Sequence, residues 1–313
     1  MTSVTMPRKR TRWYQNPRSR RKGLIALAFI APGLIYYIFF RYAPMWGNLI
    51  AFQDYNPFKG FAASKWVGLK HFKNFFQSTN CSRLILNTLA ISFYDILFGF
   101  PIPIIFAIML NEVKGKRFRS VVQSISYFPH FISLVIICGL LKSYLSVTDG
   151  IVNLLIEVLG GKRINFLQEP GWFRPIYIAS GIWQGMGWSS IIYYATLTSV
   201  DTSLYEAAEI DGANRWQRIW HISVPALVPT MLTLLLMRLG NVLNVGFEKV
   251  LLLQNSSTLS TSDILSTYVY RLGITQMKYS FASAVGLFNN VVGLVILMFF
   301  NTLSRKIANT SLW

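Results

Sequence analysis

The chain is almost without cysteine. Cys81 and Cys138 are the two in 313 residues, which excludes a disulfide framework and a cysteine-type metal site. Histidine is nearly as scarce: His71, His130 and His221 lie in separate segments without ligand-like spacing, so no metal site is expected and each reads as an ordinary hydrogen-bonding residue. Charge of one sign is short too, with 12 acidic residues against 30 basic ones. The net charge of +18 invites a nucleic-acid reading, but the basic residues stand beside apolar runs, where they serve as topology signals and contacts to anionic lipid. The chain has no GxxxxGKS or GxxxxGKT stretch, so it carries no ATPase P-loop of its own. No nucleophile-base motif marks an esterase or a protease, and no catalytic residue is expected.

What is plentiful is apolar surface. Hydrophobic residues make up 53% of the chain and charged ones only 13%, too apolar a balance for a soluble domain of this length. A basic tail, residues 1–22, contains Arg8, Lys9, Arg10, Arg12, Arg18, Arg20, Arg21 and Lys22 and is expected in the cytoplasm. Residues 23–313 then read as one all-α membrane domain of six spans. The first, 24–40, runs into Arg41 and Tyr42 without an A-x-A cleavage site, so it is retained. An aromatic and lysine-rich piece, 66–76, suits an interfacial helix on the outer surface. The second span, 88–110, holds Asp95, Pro101 and Pro103, and the third, 121–145, holds Pro129 and His130; prolines within spans suggest kinks, tolerated because neighbours satisfy the freed carbonyls. The apolar piece 151–159 is too short to cross and reads as a surface helix. The fourth span, 175–197, carries Gly181 and Gly185 at a spacing that permits close helix contact. The fifth, 227–247, bears Arg238, and the sixth, 281–303, ends before Arg305 and Lys306. Six spans place both termini in the cytoplasm.

Between the fourth and fifth spans stands EAAEIDGANRWQRIWHISVPALVP, residues 206–229. Glu206, Glu209, Asp211, Arg215, Arg218 and His221 keep it out of lipid, so it forms a polar helical loop. Asp201 and Ser203 offer N-cap oxygens, and Glu206 follows Ser203 at capping-box spacing. Gly212 falls where the backbone needs a positive φ to fold back. A second helix is expected from about Asn214 into the next span, with Pro225 and Pro229 early in it. Ala207 and Ala208 leave a flat face for close approach by another protein.

This loop resembles the EAA signature of the membrane subunits of binding-protein-dependent ABC importers. The family pattern is EAA, a Gly after three more residues, and an Ile-x-Leu-Pro further on. Glu206, Ala207, Ala208, Gly212, Ile222 and Pro225 match it, with Val224 where Leu is usual and Ile219 where Phe is common. Residues 246–274 and 32–60 are similar to the LplB and YtcP group of MalF-like carbohydrate permeases, which includes permeases for polysaccharide fragments such as alginate. The resemblance implies a type I ABC importer permease fold in a bacterial cytoplasmic membrane. It also implies a coupling loop, residues 201–225, in which Glu206, Ala207, Ala208, Asp211, Gly212, Ile222 and Pro225 seat on an ATPase subunit. The implied partners are a second homologous permease, two ATPases that bind ATP and Mg, an extracytoplasmic solute-binding protein and an oligosaccharide. No cofactor is implied for this chain itself.

A sugar path needs aromatic faces for the rings and amides or hydroxyls for their OH groups. Trp183, Gln184, Tyr193, Tyr194, Asn241, Asn244, Asn289 and Asn290 supply these types in the last three spans. Asp95 and Arg238 fall at equal depth by helical rise, so they are expected to pair or to face a wet cavity, because a lone charge at that depth costs at least about 2.5 kcal/mol on insertion scales. The rival reading is a secondary transporter driven by an ion gradient, for which Asp95 is the lone candidate ion site.

Overall fold

A computed structural model describes residues 17–240, 242–243 and 245–308. Most of the basic tail, together with Asn241 and Asn244, lies outside the described residues. Among the described residues, four helices are long and apolar enough to cross a membrane: Arg21–Phe52, Asn80–Glu112, Arg215–Gly240 and Tyr279–Leu303. The first is α1 (Pro17–Tyr37), which continues through a π-helical turn at Ile38–Tyr42 and a 3-10 stretch at Trp46–Phe52. None of its most apolar stretch is buried within the chain.

The loop after it forms a two-residue antiparallel pairing, Gln53 with Trp66 and Asp54 with Lys65. The expected interfacial helix is shorter than its apolar pattern suggested. Residues 65–66 belong to the pairing, and the helix is α2 (Lys70–Gln77), which buries His71 and Phe75. The next apolar helix comprises α3 (Asn80–Gly99) and α4 (Pro101–Glu112), interrupted at Phe100. Pro101 and Pro103 sit at the start of α4, where their missing amides cost little.

The expected third span is not one straight helix. It divides into α5 (Lys116–Tyr127) and α6 (Leu134–Tyr144), bent by 96°. Pro129 lies in a 3-10 turn at Phe128–Phe131, and Ile132 and Ser133 are extended, so the helical ladder has no continuous path. Counted as one span, this pair is a fifth. The short surface helix is α7 (Ile151–Val158), pinned by fully buried Asn153, which bonds the Ser146 carbonyl and both backbone groups of Ile164 at 2.8–3.0 Å.

The expected fourth span lies within α8 (Pro170–Thr198). At 29 residues it is about 43 Å long, but Gln184, its serines and its glycines keep its hydropathy below that of the other spans. Close approach to α8 occurs elsewhere than the Gly181 and Gly185 spacing suggested. A Cβ added at Gly185 would meet no atom within 4 Å, and Gly181 makes room for the Lys249 ammonium at 3.2 Å. Contact is tightest at Gly187, where a Cβ would overlap the Ser126 carbonyl of α5.

Three apolar clusters hold the bundle together. One joins Ile91, Cys138, Tyr177, Ile178 and Val250, a second joins Phe75, Leu84, Leu265 and Val285, and the third packs Ile104 and Ala107 against Tyr193, Leu197 and Leu227.

Candidate functional site

The polar loop is built as two short helices folded against each other. The first, α9 (Thr202–Ile210), is capped by Asp201, whose carboxylate accepts from the Ser203 amide at 2.9 Å. That bond, with help from the Ser203 hydroxyl, holds the Asp201 carboxyl below its ordinary range. The capping box does not form at Ser203 and Glu206, because with Asp201 as N-cap the third helical position is Leu204. It forms instead at the second helix, α10 (Arg215–Arg218): the Gln217 amide donates to Asn214 Oδ1 at 3.0 Å, and the Asn214 amide to Gln217 Oε1 at 2.7 Å. Between the helices, Gly212 has φ +80°, and the Ala213 amide returns to the Ala208 carbonyl at 2.8 Å, closing the first helix as a left-handed C-terminal residue does. The chain then passes through a π-helical turn, Ile219–Ser223, into α11 (Val224–Gly240).

Side chains clamp this loop together. Arg218 pairs with Glu209 at 3.0 Å, and Tyr205 shares a 3.0 Å bond with Ser223. Arg215 Nε donates to Glu112 at 2.8 Å, tying α10 to the end of α4. Ala208, Asp211, Gly212 and Ile222 are brought together around a hollow of about 290 Å³, with Gln217 and His221 on its wall. Glu206, Ala207 and Pro225 lie outside it. The loop also turns apolar side chains outward, Ile210 at 86% exposure and Trp216 at 69%. Sequence reasoning missed both, although an isoleucine and a tryptophan inside so polar a stretch were the available signal.

At membrane depth, Arg238 donates Nη2 to Asp95 Oδ2 at 2.7 Å and Nε to the same oxygen at 3.1 Å. Gly99 makes room for the pair, since a Cβ there would lie 3.0 Å from Asp95 and 3.1 Å from Arg238. Both charges keep about a third of their side-chain surface open, 34% for Arg238 and 39% for Asp95. Charges so exposed at this depth face water or another protein, not hydrocarbon. Arg238 lines a hollow of about 350 Å³ with Phe100, Trp188 and Tyr193, and Trp188 stacks on His130 at 4.6 Å.

The eight path candidates are not assembled into one site. Tyr193 lies in the Arg238 hollow, while the Tyr194 hydroxyl accepts from Arg119 of α5 at 2.7 Å. Asn289 and Asn290 line a separate hollow of about 550 Å³ with Asn48, Ser266, Tyr270 and Ser283. Trp183 and Gln184 stand outside both hollows, Trp183 with about half its surface open. Asn241 and Asn244 fall outside the described residues.

In the loop after the first apolar helix, Asp54 sits between Lys70 at 2.8 Å and His71 Nε2 at 3.0 Å. Lys70 chiefly, and His71 further, hold its carboxyl below the ordinary range. His71 Nε2 also meets the Gln53 carbonyl at 3.1 Å, so two acceptors assign the proton to that nitrogen. Deeper in, fully buried Asp263 is paired with Arg271 at 2.6 Å.

Comparison with known proteins adds to this geometry. The chain is 45% identical over 277 residues to protein LplB of Bacillus subtilis (strain 168), covering 88% of this chain and 87% of that protein. It is equally identical over 284 residues to the polygalacturonan/rhamnogalacturonan transport system permease protein YteP of the same organism, covering 91% and 88%. Its fold is similar, with a TM-score of 0.87 and 44% identity over 94% of this chain and 99% of the other, to a chain in the crystal structure of a bacterial alginate ABC transporter in complex with an alginate pentasaccharide-bound periplasmic protein. Residues 99–309, from the middle of the second apolar helix through the loop to the last helix, match the family model for the binding-protein-dependent transport system inner membrane component, and the chain belongs to that family.

Proposed function

We propose that the chain is the permease subunit of an ATP-driven ABC importer for oligosaccharides or polysaccharide fragments. The observation that carries this reading is the loop at 201–225. It is internally clamped yet turns Ile210 and Trp216 outward beside Glu206 and Ala207, which is how a rigid docking element for another protein is built. The chain has no P-loop, so the docked subunit is the ATPase, and ATP and Mg are bound there. Six spans follow if the bent pair of α5 and α6 is the third and α8 the fourth. Both termini and the loop then share the cytoplasmic side. A second permease completes the path, and an extracytoplasmic solute-binding protein delivers the glycan from the other side; the similar alginate ABC transporter is in complex with an alginate pentasaccharide-bound periplasmic protein.

In this mechanism ATP-driven closure of the ATPases moves the loop. Arg215 passes the motion to Glu112 at the base of the second span, and the π-helical turn passes it into α11, which carries Arg238. The two hollows around Tyr193 and Asn289 lie on the moving helices and supply the aromatic and amide groups a sugar requires. The ion-gradient alternative needs a carboxylate free to take a proton or sodium ion. Asp95, its one candidate, is held by Arg238.

The test is uptake of labelled oligogalacturonide or alginate oligosaccharide into membrane vesicles containing the assembled complex. Uptake is expected to require ATP, to survive collapse of the proton gradient and to vanish in Glu206→Lys while the protein still inserts. Uptake that follows the gradient and ignores ATP would establish the secondary-transporter reading instead.

A further inference from the structure

One surface of the bundle is left without a role by transport. Tyr94, Phe98 and Ile102 on one wall and Ile178, Ala179 and Ile182 on the other enclose a groove of about 510 Å³, with Arg174 at its end. Phe98 stands three residues from Asp95, about 60° around the helix, so the groove runs beside the charge pair on the second span, although neither Asp95 nor Arg238 lines it. Below Arg174 its walls are apolar apart from the Tyr94 hydroxyl.

Arg174 differs from the other membrane-level cations. It donates Nη2 to Asn87 Oδ1 at 2.8 Å and Nε to the Thr261 carbonyl at 3.4 Å, and Nη1 has no acceptor among the described residues. Those two bonds fix the guanidinium plane at the groove mouth. Glu169, the acid just before α8, does not line the groove. From Arg174 to Ile182 is eight residues, about 12 Å of helix, against about 15 Å for half a hydrocarbon layer. Trp172, partly exposed near the mouth, stands at the level where aromatic side chains mark the membrane surface.

We propose that this groove holds an acyl chain of an anionic phospholipid of the outer leaflet, with Arg174 Nη1 receiving the phosphate. The leaflet assignment rests on the orientation given under the proposed function; the lipid assignment rests on the groove alone. An anionic headgroup is selected because a zwitterionic lipid carries its own cation, which competes with Arg174 for the phosphate.

The test uses the assembled complex purified in mild detergent and returned to nanodiscs of phosphatidylcholine with a minor share of phosphatidylglycerol. Native mass spectrometry then counts each lipid retained. The wild-type complex is expected to enrich phosphatidylglycerol, and Arg174→Gln to lower that preference by about tenfold, the loss of one charge-assisted bond. Ala179→Trp, which fills the groove from one wall, is expected to lower retention of both lipids while leaving thermal unfolding unchanged, and it keeps the test valid if Arg174→Gln does not assemble. Equal retention of the two lipids by wild type and both variants would overturn the proposal. So would a photo-crosslinker at Ala179 that labels the second permease and not lipid. Lipid retention is read without transport, so its failure is separate from failure of the importer reading.

Discussion

At the scale of single residues, the sequence and the structure agree best where a side chain has one physical way to be satisfied. Asp95 and Arg238 fell at equal depth by counting helical rise, and the structure places them 2.7 Å apart. Removing one partner leaves a charge alone at membrane depth, which costs about 2.5–3.5 kcal/mol on insertion scales. Asp95→Asn is therefore expected to lower the yield of inserted protein and its thermal unfolding midpoint, and Asp95→Asn with Arg238→Gln to recover much of the loss. If both singles match wild type, the pair holds nothing together.

Asp54 is a residue-scale case on the wet side. Its folded pKa is lowered by Lys70 and His71, so the tie stabilises above the ordinary carboxylate value of about 3.9 and is lost as pH falls through the lowered value. Unfolding midpoints of wild type and Asp54→Asn in detergent are expected to differ near neutral pH and to converge in acid. A difference that grows toward acid would reverse the sign.

At the scale of elements, the loop was legible, and the bend was legible in place but not in size. Gly212 has the positive φ that its place after α9 required, but the capping box sits at Asn214 and Gln217, because a sequence offers several cap oxygens and only the fold decides which is first. Pro129 pointed to a kink in the third span, but its size, 96°, was hidden, because hydropathy carries no information about direction. The division of the sugar-type residues into two hollows was hidden for a related reason. Nothing in the run from 246 to 274 states that Ser266 and Tyr270 meet Asn289 and Asn290.

Packing sets two predictions at this scale. Gly187→Val drives a side chain into the Ser126 backbone and is expected to destabilise by about 1–3 kcal/mol, while Gly185→Ala, with open space around it, is expected to be neutral or slightly stabilising. Thermal unfolding of the two variants separates these outcomes. The Glu112 and Arg215 tie is exposed enough that its loss is expected to cost under about 1 kcal/mol of stability, yet to lower uptake several-fold if it carries motion. Reversing both charges together is expected to restore uptake. Full uptake in Arg215→Ala would show that the tie is only a surface ion pair.

At the scale of the whole molecule, the chain by itself is incompletely covered. Its most apolar helical stretch, within Arg21–Phe52, is not buried at all. Trp183 is turned outward, and the Asp95 and Arg238 pair stays one-third open at membrane depth. Lipid satisfies the first two of these surfaces and not the third. The ion pair therefore marks the surface that calls for water or a protein partner. Binding a partner that recognises only the folded chain stabilises it by mass action. Coexpression with the second permease is therefore expected to raise the unfolding midpoint in detergent by several degrees. The gain is expected to shrink in Asp95→Asn with Arg238→Gln, whose neutral surface needs the partner less. An unchanged midpoint on coexpression, with the two permeases shown to copurify, would mean that the ion pair faces an open cavity and that the contact between subunits lies elsewhere.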